Sequence, residues 1–340
     1  MFGIIENNMG CIILASAISV GFTASLIICR DFGIGRRTML VYGVLAIPAA
    51  ALFSRLYWIL LNLESFSDEP LNAVFNWNGD VGLYGAFIGC IIVACFVGRI
   101  EKIRPALLLD ALSPGAVLAV SVGRLADYYG GKNFGSEVQS AVLQIFPISV
   151  YAPDFDSWFY AVFVYESAFC LAASIILLHM ENRLYTGKND KRIPGGFVPD
   201  AEVMQRSEYA VGRNMNQSSS AGPAGDIFLW FLLIYGCGRT VFESMRADGI
   251  YVGFVKPAQV VSFLLALAIF IYFSVHAVRR RGAKASDYAC WLLAALSAAA
   301  AFWAEFCKGA DSYMRNTLIL AAAMLSILVL SARFHSSRSS

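Results

Sequence analysis

The chain has 340 residues, of which 58% are hydrophobic and 15% charged, with a formal net charge of +2 at neutral pH. A mean hydropathy of +0.62 excludes an ordinary soluble domain, and no nucleic-acid partner is expected. What remains is a protein whose solvent is largely lipid.

A bilayer core of about 30 Å asks a helix for roughly 20 apolar residues. Runs of that kind fall at 9–29, 39–63, 82–98, 106–122, 157–180, 226–242, 257–277, 287–306 and 313–332. The expected fold is therefore all-α: a polytopic integral membrane protein of about nine transmembrane helices. The first run has no basic start and no small-residue cleavage site, so it reads as a retained helix. The eighth run is the weakest of the nine as a span, because Glu305 sits near its end.

Basic and acidic loops alternate along the chain. Arg30, Arg36 and Arg37 follow the first span, and Arg99, Lys102 and Arg104 follow the third. Arg183, Lys188, Lys191, Arg192, Arg206 and Arg213 follow the fifth, and Arg279, Arg280, Arg281 and Lys284 the seventh. Glu64, Asp68, Glu69 and Asp80 follow the second. The positive-inside rule puts the basic loops in the cytoplasm, the N-terminus and the 122–156 loop outside, and the C-terminus inside. Residues 182–225, with Pro194-Gly195-Gly196 and Ser218-Ser219-Ser220, read as a partly disordered cytoplasmic loop. The eight cysteines lie in or at the ends of spans without a CxxC pair and read as small packing residues. No metal site and no cofactor are expected.

Ionisable residues inside spans need a partner or water. They are Arg55, Asp110, Glu166, and the pair Arg239 and Glu243, four residues apart on one helix face with Arg246 and Asp248 following. Arg239 and Glu243 form either an intrahelical ion pair or part of a phosphate site in which Arg124 and Arg239 converge at the outer face. Arginine suits that task, because its planar fork grips phosphate oxygens and keeps its charge. Gly85 and Gly89, with Gly82 nearby in Asn76-Trp77-Asn78-Gly79-Asp80-Val81-Gly82, suggest close helix packing. The histidines, His179, His276 and His335, all fall at cytoplasmic ends or in the tail, which leaves none for base chemistry outside.

The stretch Gly123-Arg124-Leu125-Ala126-Asp127-Tyr128-Tyr129-Gly130-Gly131-Lys132 follows the fourth span, Tyr165-Glu166 lies in the fifth, and Tyr235-Gly236-Cys237-Gly238-Arg239-Thr240-Val241-Phe242-Glu243-Ser244-Met245-Arg246-Ala247-Asp248 closes the sixth. With Gln259, Ser262 and Arg55, this pattern resembles the prolipoprotein diacylglyceryl transferases, over roughly residues 10–277. It departs from the family where Tyr84-Gly85-Ala86 replaces His-Gly-Gly, where signature asparagines fall on Asp127 and Gly130, and where the signature glutamate falls on Lys132. The resemblance implies a core over 1–280, with an additional transmembrane hairpin and short basic tail over 281–340.

It also implies transfer of a diacylglyceryl group from phosphatidylglycerol to the lipobox cysteine of prolipoprotein signal peptides, by a monomer in the bacterial cytoplasmic membrane. Arg239, Glu243, Asp127 and Tyr84 are the expected catalytic residues. Arg124, Gly123, Arg246, Glu166, Gln259 and Arg55 are the expected binding residues. Tyr84 is a poor base at an ordinary phenol pKa of about 10, so Asp127 or Glu243 would take the thiol proton. Two alternatives stay open: a non-catalytic paralogue that binds anionic lipid or a lipoprotein precursor, and a small-molecule transporter using Arg55, Asp110 and Glu166.

Overall fold

The computed structural model describes residues 2–62, 82–186, 224–249, 251, 255–306 and 313–339. Among these, nine helices are long and apolar enough to cross a membrane, and the protein is an all-α polytopic membrane protein. They are α1 (Phe2–Ile28), α2 (Arg36–Leu61), α3 (Leu83–Ile100), α4 (Pro105–Arg124), α5 (Val162–Glu181), α6 (Asp226–Met245), α7 (Pro257–Arg281), α8 (Ala285–Phe306) and α9 (Tyr313–Ser339). Large apolar side chains such as Val44, Leu52, Leu292 and Leu296 point outward, as lipid permits and water does not. The acidic segment Glu64 to Asp80, Trp77, Cys307 and most of the 182–225 loop lie outside the described residues. Of that loop, Asn182–Thr186 forms a π-helical turn continuing α5.

The helix of the fifth span begins later than its apolar run. Trp158, Phe159 and Tyr160 read as the start of a membrane run, but Ser157–Tyr160 forms a strand (β2) paired antiparallel with Ser149–Ala152 (β1). The helix begins only at Val162. Asp156, at φ 48°, turns the chain between the two strands. The hairpin buries Val150 and Ala152 with Phe134, Ala161 and Phe163 in a small core of its own. Tyr165 Oη bonds the Ile148 carbonyl, tying the hairpin to the start of α5.

The chain forms two compact units: Met1–Gly21, Val117–Leu177 and Leu229–Ser340 in one, and Phe22–Ala116 and Leu178–Phe228 in the other. In the second unit, α2 and α3 pack backbone to backbone. A Cβ at Gly85 would collide with the Phe53 carbonyl oxygen, and one at Gly89 would come within 2.7 Å of the Ala49 carbonyl oxygen. The glycine spacing thus serves close helix packing. Gly89→Leu is expected to destabilise the fold by about 1–3 kcal/mol, seen as a lower unfolding temperature in detergent. Gly10→Ala, whose Cβ would meet its nearest neighbours at 3.7 Å, should not lower it.

Asp110 is fully buried in the same unit, where its carboxylate accepts the Gly225 N–H at 2.7 Å and the Phe228 N–H at 2.9 Å. A carboxylate placed there caps the N-terminus of α6 and meets its dipole. In the first unit, α9 packs on both α7 and α8. The α7–α8 corner is fixed by Arg281, which donates to Asp287 at 2.8 and 3.0 Å, while the Lys284 N–H caps the same carboxylate at 2.9 Å.

Candidate functional site

The first unit gathers a polar cluster where α4 and α6 end and α5 begins. Its centre is Glu166, one turn into α5 and only 1% exposed. Arg239 Nη1 donates to both Glu166 oxygens, at 3.0 and 2.8 Å. Arg124 reaches the same carboxylate with Nε at 3.0 Å. Two guanidiniums on different helices thus meet on one carboxylate and share its Oε1. Like charges this close are tolerated only because a shared counter-charge sits between them.

Further residues extend the network. Arg239 Nη2 lies 2.6 Å from Glu243, one turn along α6, so the intrahelical ion pair exists as part of a larger assembly. Arg124 Nη1 donates to Asp127 at 3.1 Å. Arg246 forks onto Asp248 at 3.0 and 3.1 Å and reaches Glu243 at 3.4 Å. Lys256 Nζ, just before α7, donates to the backbone oxygens of Glu243 and Arg246 at 2.7 Å each, closing the α6 C-terminus with positive charge. Arg124 also interacts with the Tyr235 side chain on α6.

Asn133 is the residue that sequence reasoning missed. It is buried and sits in the left-handed region at φ 65°, which a short polar side chain tolerates. Its Nδ2 donates to Asp127 and Glu166, at 3.2 Å each, and its backbone N–H to Asp248 at 2.8 Å. Gly131, at φ 59°, supplies the turn that carries the chain from Asp127 to this position. The signal was the glycine pair Gly130-Gly131 itself, followed two residues later by an amide side chain. Burial pushes the Asp248 carboxyl up, but the Arg246 fork and the Asn133 N–H outweigh it and hold it below the ordinary carboxylate range. Its stabilising tie therefore persists at neutral pH and is lost only as the pH falls through that lowered value.

Of the residues expected at the site, Arg124, Asp127, Glu166, Arg239, Glu243 and Arg246 share this network. Gln259 joins from the first turn of α7, donating to the Thr240 carbonyl at 3.3 Å. Gly123 lies one residue before Arg124 on α4, where an added Cβ would meet Ala17 at an ordinary 3.7 Å. Arg55 and Tyr84 belong to the second unit. Arg55 is buried with its guanidinium 4.8 Å over the Trp58 ring, and Tyr84 packs against Tyr57 and Phe87. The intramembrane charges thus have separate tasks: Asp110 caps a helix, Glu166 holds arginines and Arg55 covers a tryptophan. His335 packs against Trp230 and Phe273, and His276 against Tyr272.

The chain matches the family model for prolipoprotein diacylglyceryl transferase over residues 8–198 and 214–275. Its relatives include proteins named phosphatidylglycerol–prolipoprotein diacylglyceryl transferase. One from Listeria monocytogenes serotype 4a is 24% identical over 272 residues, covering 77% of this chain and 83% of the relative. Another, from Lactobacillus delbrueckii subsp. bulgaricus, is 25% identical over 251 residues, covering 71% and 75%. A third, from Lactobacillus acidophilus, is 24% identical over 235 residues, covering 66% and 70%. Since the matched segments take in well over half of its length, the chain belongs to the prolipoprotein diacylglyceryl transferase family.

Proposed function

We propose that the protein transfers the diacylglyceryl group of phosphatidylglycerol to the lipobox cysteine thiol of prolipoproteins, at the outer face of the bacterial cytoplasmic membrane. The observation that carries this reading is the pair of arginines, Arg124 and Arg239, both held by the buried Glu166 carboxylate. The relatives' names supply the substrates. The alternation of basic loops supplies the orientation.

In the proposed step, the cysteine sulfur attacks the terminal glycerol carbon of the diacylglyceryl group. The bond from that carbon to the phosphate oxygen breaks, and glycerol phosphate leaves with the electron pair. Charge on the departing phosphate is met by guanidiniums already fixed in place, so little reorganisation is needed as it develops. Arg124 is the better placed of the two, because its side chain is 13% exposed where that of Arg239 is 7% exposed. Glu166 acts as the strut that keeps both arginines in register.

The thiol proton needs an acceptor. A neutral phenol, as at Tyr84, accepts one poorly. Asp127 is 24% exposed where Glu243 is 3% exposed, so Asp127 is the carboxylate an incoming thiol reaches, and we assign it the proton. Asp127→Asn is expected to lower turnover about a hundredfold with little change in phosphatidylglycerol binding. Unchanged turnover would remove Asp127 from the chemistry.

The reading is tested with purified protein, phosphatidylglycerol vesicles and a lipobox peptide. Mass spectrometry should find the diacylglyceryl thioether on the cysteine peptide and nothing on its cysteine-to-serine counterpart. Tight lipid binding without product would identify a non-catalytic lipid-binding relative instead.

A further inference from the structure

The family model's match ends at residue 275, so α8 and α9 lie beyond it, yet α8 ends inside the polar cluster. Glu305, next to the last residue of α8, accepts two hydrogen bonds on one oxygen. Ser244 Oγ donates at 2.8 Å and Gln259 Nε2 at 2.9 Å. Ser244 directly follows Glu243, and the second acceptor of Gln259 Nε2 is the carbonyl of Thr240, directly after Arg239. A carboxylate near the end of a membrane helix is costly unless it has such partners.

These contacts fix more than position. A carboxylate and a backbone carbonyl are acceptors only, so the Gln259 amide must turn its nitrogen toward both of them. Its Oε1 is therefore directed away from Thr240 and Glu305. Held that way, Gln259 presents an acceptor, and an acceptor recognises hydroxyl donors.

We propose that Glu305 is a positioning residue for the donor lipid: by locking the Gln259 amide, it aims Oε1 to accept a hydrogen bond from a glycerol hydroxyl of the phosphatidylglycerol headgroup. This rests on the transferase reading above and deepens it. It also gives the additional hairpin a task, because α8 supplies the side chain that sets an acceptor contributed by the matched core.

The test uses the full chain in phosphatidylglycerol vesicles with a lipobox peptide, comparing Glu305→Ala, Glu305→Gln, Gln259→Ala and the double alanine variant. Glu305→Ala should raise KM for phosphatidylglycerol about tenfold, the scale of one hydrogen bond, with kcat within about twofold. Gln259→Ala should match it, and the double variant should be no worse than either single, because one residue acts through the other. Glu305→Gln keeps an oxygen able to accept both bonds and should restore KM. An unchanged KM in Glu305→Ala, or a double variant whose effect is the product of the singles, would overturn the assignment. A wild-type protein that neither transfers nor binds phosphatidylglycerol is a different result, and it would overturn the transferase reading and this inference together.

Discussion

Arg239→Ala is expected to abolish diacylglyceryl transfer, lowering kcat/KM by about a thousandfold or more, the range seen when a preorganised cation or donor is removed from a developing anion. The size of the effect follows from how much this side chain holds. Its Nη1 bridges both oxygens of Glu166 and its Nη2 meets Glu243 at 2.6 Å. Under the proposed reaction, removing it takes a cation away from the departing phosphate, and it also leaves two buried carboxylates short of a partner. That second effect is worth about 3–5 kcal/mol of stability, so activity must be compared at matched membrane insertion. Arg239→Lys separates the two effects. A lysine keeps the charge but lacks the planar fork that reaches Glu166 and Glu243 together, so the fold should recover more fully than turnover.

Glu166→Gln should rank next in size. Arg124 and Arg239 would then share a neutral amide instead of a carboxylate. The amide also turns an N–H toward one of them. The expected result is a loss of about 3–5 kcal/mol in unfolding free energy and a fall in turnover of about a hundredfold, since the arginines lose the strut that aligns them. Unfolding in detergent and turnover in vesicles read the two parts separately. Wild-type turnover in Glu166→Gln would mean that the arginines hold their places without it, and the strut assignment would fall.

Much of this architecture is legible in the sequence. The nine spans are, because lipid demands long apolar runs and the basic loops punctuate them. Helical periodicity alone places Arg239, Glu243 and Arg246 near one another. The partner of Arg239 across the cluster is not legible in the same way. Glu166 reads as a buried charge within its span, but only the tertiary fold brings it between Arg124 and Arg239. The phosphate site expected from those two arginines is, in the structure, an arginine pair already braced by an internal carboxylate.

The misses share a cause. Asn133 is hidden because counting along the signature places its amides on Asp127 and Gly130, while the turn at Gly131 delivers a different residue to Glu166. The β1–β2 hairpin is hidden because Trp158, Phe159 and Tyr160 suit an interfacial aromatic belt as well as a strand. Glu305, the charge that weakens the eighth run as a span, turns out to be held by Ser244 and Gln259. In each case, long-range contact decided what local pattern left open.

The fate of the phosphorus decides whether the protein is a transferase. Phosphatidylglycerol vesicles, the purified protein and a lipobox peptide are incubated together, and 31P NMR is recorded alongside the mass of the peptide. The phosphodiester signal is expected to decline while a phosphomonoester signal of free glycerol phosphate rises. One phosphomonoester should form for each thioether on the peptide, and neither should form with Arg239→Ala. A phosphodiester signal that stays intact while the lipid remains bound to the protein would contradict the transferase reading.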